Sequence, residues 1–292
     1  VTLTKVLTGP PTPATSGVGD NLDVPFRFTV TNTGAMTLSN LSLVDNLASQ
    51  LGGAFVRVVP GTLSVTNIDA QVAPVVNTAY DGNSVNDLLA GSSVDQLGSA
   101  ESFRVDLIIE VDPDSPTAVR SNGQLQNQAT ITGLNIFGEQ STDASDNPTD
   151  PTDLDLDMDN DPDDPTSISF ARIALDKEVL AVAPAGSGVD GNVDATFRFR
   201  VSNTGNVDLT NLSITDDWGS QLGTNFVRVI PGSVVVTNVT STTLPGDNPN
   251  YSGGATENML DGTGVLQVGE QFDVSVVVEL DPDADPSFLL NG

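Results

Sequence analysis

The amino-acid sequence predicts an all-β protein, two antiparallel β-sandwiches in tandem joined by an Asp-rich linker. Three observations predict it. The chain repeats itself: Phe26-Arg-Phe-Thr-Val-Thr-Asn-Thr-Gly34 recurs as Phe197-Arg-Phe-Arg-Val-Ser-Asn-Thr-Gly205, and Phe55-Val-Arg-Val-Val-Pro-Gly61 as Phe226-Val-Arg-Val-Ile-Pro-Gly232, both offset by 171 residues. The local hydrophobic period is two. And between the copies runs an acidic stretch with nothing to build a core from.

The first copy is placed at residues 1–140. Its opening strand sets Leu3, Lys5 and Leu7 on one face. Phe26, Phe28 and Val30 alternate with Arg27, Thr29 and Thr31, which reads as a half-buried strand ending in an Asn-Thr-Gly turn. Leu41, Leu43 and Asp45 share a face of the next strand. Phe103, Val105, Leu107, Ile109 and Val111 form a long one. Leu125 to Thr132, with the apolar patch Leu134 to Phe137, reads as the closing strand. No stretch has a helical stripe with caps. Short strands at this spacing imply an immunoglobulin-like antiparallel β-sandwich in each copy.

Residues 141–168 are expected to be the linker. From Asp143 to Asp164 there are 10 Asp in 22 residues, with no base and no aromatic. Such a segment cannot bury a core and self-repels as a free chain. Residues 169–292 form the second copy, which stops at the equivalent of Gly123 and so lacks its closing strand. Either the chain continues, the simpler reading, or a neighbour supplies a strand.

Composition narrows the function. The 292 residues carry 39 acids and 10 bases, a net charge of −29, with no cysteine and no histidine. That excludes a thiol nucleophile, a disulfide, the usual zinc sites and a Ser-His-Asp triad, so an enzyme is not expected. The negative charge argues against nucleic acid and anionic membrane surfaces. No apolar run is long enough to span a bilayer, and Val1-Thr2-Leu3-Thr4-Lys5 does not read as a signal peptide, so the chain is expected to be a mature or excised piece.

The repeated Phe-x-Val-x-Asn-Thr-Gly unit, the following Leu-Thr-Asn-Leu-Ser-Ile-Thr-Asp216 and the Asp-Pro-rich tail after Asn-Gln-Ala-Thr-Ile resemble the tandem Ig-like repeat domains of large bacterial and archaeal cell-surface proteins. Those modules are similar to Gram-positive adhesin stalk domains. The resemblance spans essentially the whole chain. It implies a secreted or cell-surface structural protein, often calcium-stabilised, and names no ligand.

Calcium (Ca2+) is the expected cofactor. Asp153, Asp155, Asp157, Asp159, Asp161 and Asp163 place carboxylates at every second position, able to converge on one ion if the backbone curls. Glu110, Asp112 and Asp114, at a strand end, are expected to complete the site; Glu279, Asp281, Asp283 and Asp285 are their counterparts. The competing reading is a solvated acidic spacer and charged strand ends.

A second candidate involves the two lysines of the chain, Lys5 and Lys177, each in the first strand of a copy. By period two both point inward, as do Asp45, Asp216 and Asn127. A buried charge needs a partner. The trio resembles the intramolecular isopeptide machinery of Gram-positive pilin and adhesin domains. The resemblance makes Lys5 the nucleophile, Asn127 the electrophile and Asp45 the proton-shuttling catalyst. Alternatives are a buried Lys-Asp pair beside a hydrogen-bonded Asn, or a lysine that snorkels out.

Trp218 is read as a packing residue. Asn40-Leu-Ser42, Asn211-Leu-Ser213, Asn238-Val-Thr240 and Asn250-Tyr-Ser252 fit the glycosylation sequon by composition. The function expected is a structural repeat segment of an extracellular fibre, stalk or surface layer, rigidified by calcium. Its partners are copies of itself or neighbouring repeats, strand complementation included. The rival reading is an adhesin whose loops, Asp69 to Ser99 and Ser241 to Gly264, hold a host or carbohydrate ligand.

Overall fold

The computed structural model describes residues 1–92, 94–121, 123–148 and 163–285. Strands make up 44% and helix 5%, arranged in antiparallel sheets, so the chain is all-β. It divides into two compact units, Val1–Ser169 and Phe170–Gly292. Among the described residues no helix is long and apolar enough to cross a membrane.

The first unit contains β1 (Thr2–Leu7), β2 (Thr12–Pro13), β3 (Leu22–Thr31), β4 (Ser39–Val44), α1 (Leu47–Leu51), β5 (Phe55–Val58), β6 (Ser64–Asn67), β7 (Ser102–Val111), β8 (Leu125–Asn127), β9 (Thr130–Leu134), β10 (Gln140–Ala144) and β11 (Thr166–Ile168). One sheet runs β1-β3-β7-β5, with β2 on β3 and β6 on β7. A second runs β10-β9-β4, and β11 pairs with β8. The alternation fixes the register: Phe26 faces Leu107, Phe28 faces Val105 and Val30 faces Phe103. All six are buried, each large apolar side chain stabilising the unit by roughly 1.5–3 kcal/mol.

The Asn-Thr-Gly turns have a structural cause. Asn32 is buried; its Nδ2 donates to the Met36 and Leu97 carbonyls, both at 2.8 Å, and its Oδ1 accepts from the Gly34 amide. Asn203 repeats the pattern with Val207, Leu266 and Gly205. One carboxamide thus satisfies three backbone groups that the turn removes from water.

Three expectations are corrected. The closing strand is two strands: β8 and β9 break at Gln128–Ala129, and the patch ending at Phe137 is the β9–β10 hairpin turn, with Ile136 80% exposed. The linker at 141–168 begins and ends inside the first unit. Its first residues are β10, paired with β9, and its last are β11, paired with β8. Asp143, Asp163 and Asp164 are buried there, Asp143 accepting the Leu3 amide, so the acids are not uniformly solvated. Third, Leu47–Leu51 and Trp218–Leu222 are one-turn helices, N-capped by Asn46 and Asp217, whose side chains accept from the Ser49 and Ser220 amides. A single turn shows no helical stripe, so only the cap residues signalled it.

The second unit contains β12 (Ile173–Pro184), β13 (Val193–Asn203), β14 (Leu209–Thr210), α2 (Trp218–Leu222), β15 (Phe226–Val229), β16 (Val235–Asn238), β17 (Val265–Leu266) and β18 (Gln271–Leu280). Its main sheet runs β12-β13-β18-β15 with β16 on β18; β14 pairs with β17. The core gathers Phe199, Val201, Trp218, Tyr251, Phe272 and Val274. Trp218 is a packing residue, its ring 4.6 Å from that of Phe197 and its Nε1 donating to the Tyr251 hydroxyl.

Asn40 and Asn211, which head two of the sequons, hold φ of 50° and 53°. Asparagine tolerates that left-handed backbone better than most residues, which accounts for its presence there.

Candidate functional site: a buried lysine, aspartate and asparagine

The first unit brings Lys5, Asp45 and Asn127 together. Lys5 comes from β1, Asp45 follows β4, and Asn127 ends β8. All three are wholly buried. Asp45 bridges the other two: its Oδ2 accepts from Lys5 Nζ at 2.7 Å and its Oδ1 from Asn127 Nδ2 at 2.7 Å. The lysine does not snorkel. Its Nζ lies 4.5 Å from the Phe26 ring centre and 4.9 Å from that of Phe28. Burial among these rings pushes the Lys5 ammonium below the ordinary lysine value, against the attraction of Asp45. Asn127 Oδ1 is buried and has no hydrogen-bond partner among the described residues.

Neighbouring groups fix the three. Tyr80, which sequence reasoning missed, donates its hydroxyl to the Asp45 carbonyl at 3.1 Å. Tyr251 does the same for Asp216 at 2.8 Å. These are the only two tyrosines of the chain, at equivalent places in the repeat, a signal available in the sequence. Gln50 of α1 clamps the β8–β9 break, donating to the Gln128 carbonyl and accepting its amide. β11 closes the pocket: Thr166 pairs with Asn127 and donates to the Lys5 carbonyl at 2.8 Å.

The expected calcium ligands divide differently. Asp153, Asp155, Asp157, Asp159 and Asp161 lie outside the described residues. Glu110 is buried and engaged elsewhere: Oε1 accepts from Ser16 and Asn21, and Oε2 from Arg57 at 2.7 Å. Burial alone would raise its carboxyl, but those three donors outweigh it and hold it below the usual range. Asp112 Oδ1 accepts the Asp114 amide within its own turn. Among the described residues no three acids gather to hold a metal ion.

In the second unit Lys177 and Asp216 repeat the ion pair at 2.6 Å, with Lys177 Nζ 4.1 Å from the Trp218 ring centre. Here the expectation of an inward lysine is only half met. The Lys177 side chain stays 34% exposed, against 0% for Lys5.

No family model matches the chain, and no curated protein does. Among solved structures it is similar to the GH20 exo-β-N-acetylglucosaminidase of Vibrio harveyi in complex with N-acetylglucosamine, with 11% identity and a TM-score of 0.27, covering 84% of this chain and 24% of that one. An inactive mutant of that enzyme gives the same values. The chain thus spans about a quarter of the length of those structures, and at that TM-score the likeness carries no argument about fold or activity.

Proposed function

We propose that the chain is a structural repeat segment of an extracellular fibre, stalk or surface layer. Its units are immunoglobulin-like sandwiches, and the first locks itself with an amide bond between Lys5 and Asn127. The observation that carries the reading is Asp45, one buried carboxylate hydrogen-bonded at once to the amine and to the carboxamide.

The chemistry follows from that bridge. Burial favours the neutral amine of Lys5, which is the nucleophilic form. Nζ attacks Cγ of Asn127 and an Nζ–Cγ bond forms. A proton from Nζ passes to Asp45 and on to Nδ2 of Asn127. The Cγ–Nδ2 bond breaks and ammonia leaves, so amine plus carboxamide give a secondary amide and ammonia. No cofactor and no oxidant enter. The bond ties the first strand of the unit, β1, to β8, more than a hundred residues later in the chain. It closes a long loop and removes much of the freedom of the unfolded chain.

Intact mass spectrometry tests this. The purified chain is expected to weigh one ammonia less than its sequence, with Lys5 and Asn127 peptides joined after digestion. Asp45→Ala should keep the full mass. A wild-type chain of unreduced mass would leave a plain buried ion pair. For the structural role, electron microscopy is expected to find this protein in filaments or stalks.

Calcium is the second part of the proposal. It is supported by the alternating carboxylates of Asp153 to Asp163, and the described acids add no metal-binding group to them.

A further inference from the structure

The tip of the β9–β10 hairpin carries two side chains that its own turn does not require. Ile136 is 80% and Phe137 73% exposed, the two most exposed large apolar side chains among the described residues. Phe137 is also the one exposed phenylalanine among them. Turn positions ordinarily go to Asn, Asp, Ser, Pro or Gly, and Asn135 and Gly138 already fill that role. Asn135 Oδ1 accepts the Phe137 and Glu139 amides, its Nδ2 donates to Glu139 Oε2 at 2.8 Å, and Gly138 takes a φ of 79°. The turn is thus held without help from Ile136 or Phe137. They form a fixed apolar knob, which loses little freedom on contact.

The same unit has a pocket of matching character. A cavity of about 390 Å³ lies beside β5, lined by Val58, Pro60, Leu63, Val76 and Tyr80. Its main polar groups are already engaged. Asn77 Nδ2 donates to the Asp87 carbonyl, its Oδ1 accepts the Ala79 amide, and the Tyr80 hydroxyl donates to the Asp45 carbonyl. The space therefore suits an apolar occupant. In the second unit the equivalent Val229 and Val234 are buried, at 5% and 3% exposure, whereas Val58 and Leu63 stay half-buried.

Knob and pocket lie at opposite ends of β4. Leu134, just before the knob, pairs with Ser39 at the start of that strand, while Tyr80 bonds Asp45 beyond its end. Those ends are roughly 20 Å apart along an extended strand, so one copy does not fill its own pocket. Charge is complementary as well. The exposed Glu139 follows the knob. Arg57, 41% exposed with its Nε on Glu110, stands in a recess that shares Val58 and Tyr80 with the pocket. Asp81 of that recess is turned to the Asn83 and Val85 amides of its own loop. With 39 acids against 10 bases, an exposed guanidinium beside an apolar pocket is a scarce feature of this surface.

We propose that Ile136 and Phe137 of one copy dock into the Val58–Tyr80 pocket of a second copy, with Glu139 facing Arg57. The two surfaces differ, so the contact is heterologous: each copy gives its knob to one neighbour and its pocket to another, and copies join head to tail. The inference rests on the fibre reading and names the surface by which copies meet. A phenylalanine buries roughly 150–250 Å², which puts the contact at the weak end of specific interfaces.

Sedimentation velocity of the full 292-residue chain tests this from micromolar to millimolar concentration, in about 0.15 M salt, where repulsion is screened beyond roughly 8 Å. Association is expected to rise with concentration. Phe137→Asp, at the exposed tip, and Thr78→Trp, which plugs the exposed rim of the pocket, should each stay monomeric while keeping the wild-type circular dichroism. Mixed, the two variants should pair one to one and stop there, because one keeps the pocket and the other the knob. A monomeric wild type, association untouched by Phe137→Asp, or a mixture that does not pair would overturn the proposal. Filaments that persist in Phe137→Asp under the electron microscope would sink this contact and leave the fibre reading standing.

Discussion

Single side chains decide most of the chemistry. Glu279 is the clearest. Hydrogen bonds from Ser187 and Asn192, with Arg228 added, hold its carboxyl at about 2 against the opposing effect of burial, compared with an ordinary value of 4.5. Its folded value lies below its unfolded value, so its contribution to stability is complete above pH 4.5 and is lost as pH falls toward 2. Glu279→Gln should therefore unfold more readily than wild type in urea at neutral pH, and the difference should shrink through that acid window. An undiminished difference would mean that the carboxylate charge is not what stabilises the site. Glu110 has the same partners in the first unit, Ser16, Asn21 and Arg57. Its place at a strand end among acids suggested a metal ligand from sequence. The donors that take up its oxygens lie 94, 89 and 53 residues away, a convergence that no local spacing reveals.

At the level of elements, the long strands β3, β7, β13 and β18 were legible because apolar residues recur at every second position along most of their length. What the pattern could not give was the closing of the pocket. β11 lies in the shadow of the acidic run, three residues long, and only its pairing with β8 makes it a strand. The inward placement of Lys5, Asp45 and Asn127 was legible by parity alone; their meeting on one carboxylate was not, since parity assigns a face and not a partner. The Asn-Thr-Gly turn was read as a turn, but not as a buried hub. Asn32→Ala should cost about 1–3 kcal/mol for each buried group left unsatisfied, more than an exposed turn residue would, with Asn203→Ala doing the same in its own unit. Urea unfolding measures both; a loss under half a kcal/mol would show the carboxamide to be dispensable.

For the whole molecule, charge sets the expectations. A net charge of −29 on 292 residues repels itself, and 10 of the aspartates lie in one run of 22. If calcium gathers Asp153 to Asp163, chelation should lower the melting temperature by several degrees, and magnesium should not restore it, because its smaller shell suits such a site less well. An unchanged melting curve on chelation would leave the solvated spacer as the reading. The repeat itself was legible throughout, yet the copies differ where sequence comparison is blind. A single glutamine, Gln50 or Gln221, is identical in both and makes different bonds because its surroundings differ.

The sole tryptophan adds a practical property. Trp218 lies in the second unit, stacked under the Lys177 ammonium and tied to Tyr251, whereas the first unit has only Tyr80 and phenylalanines for chromophores. Indole emission from this chain therefore watches one half of it. Quenching and wavelength shifts read out what happens around Lys177, and the other half melts unseen in that channel.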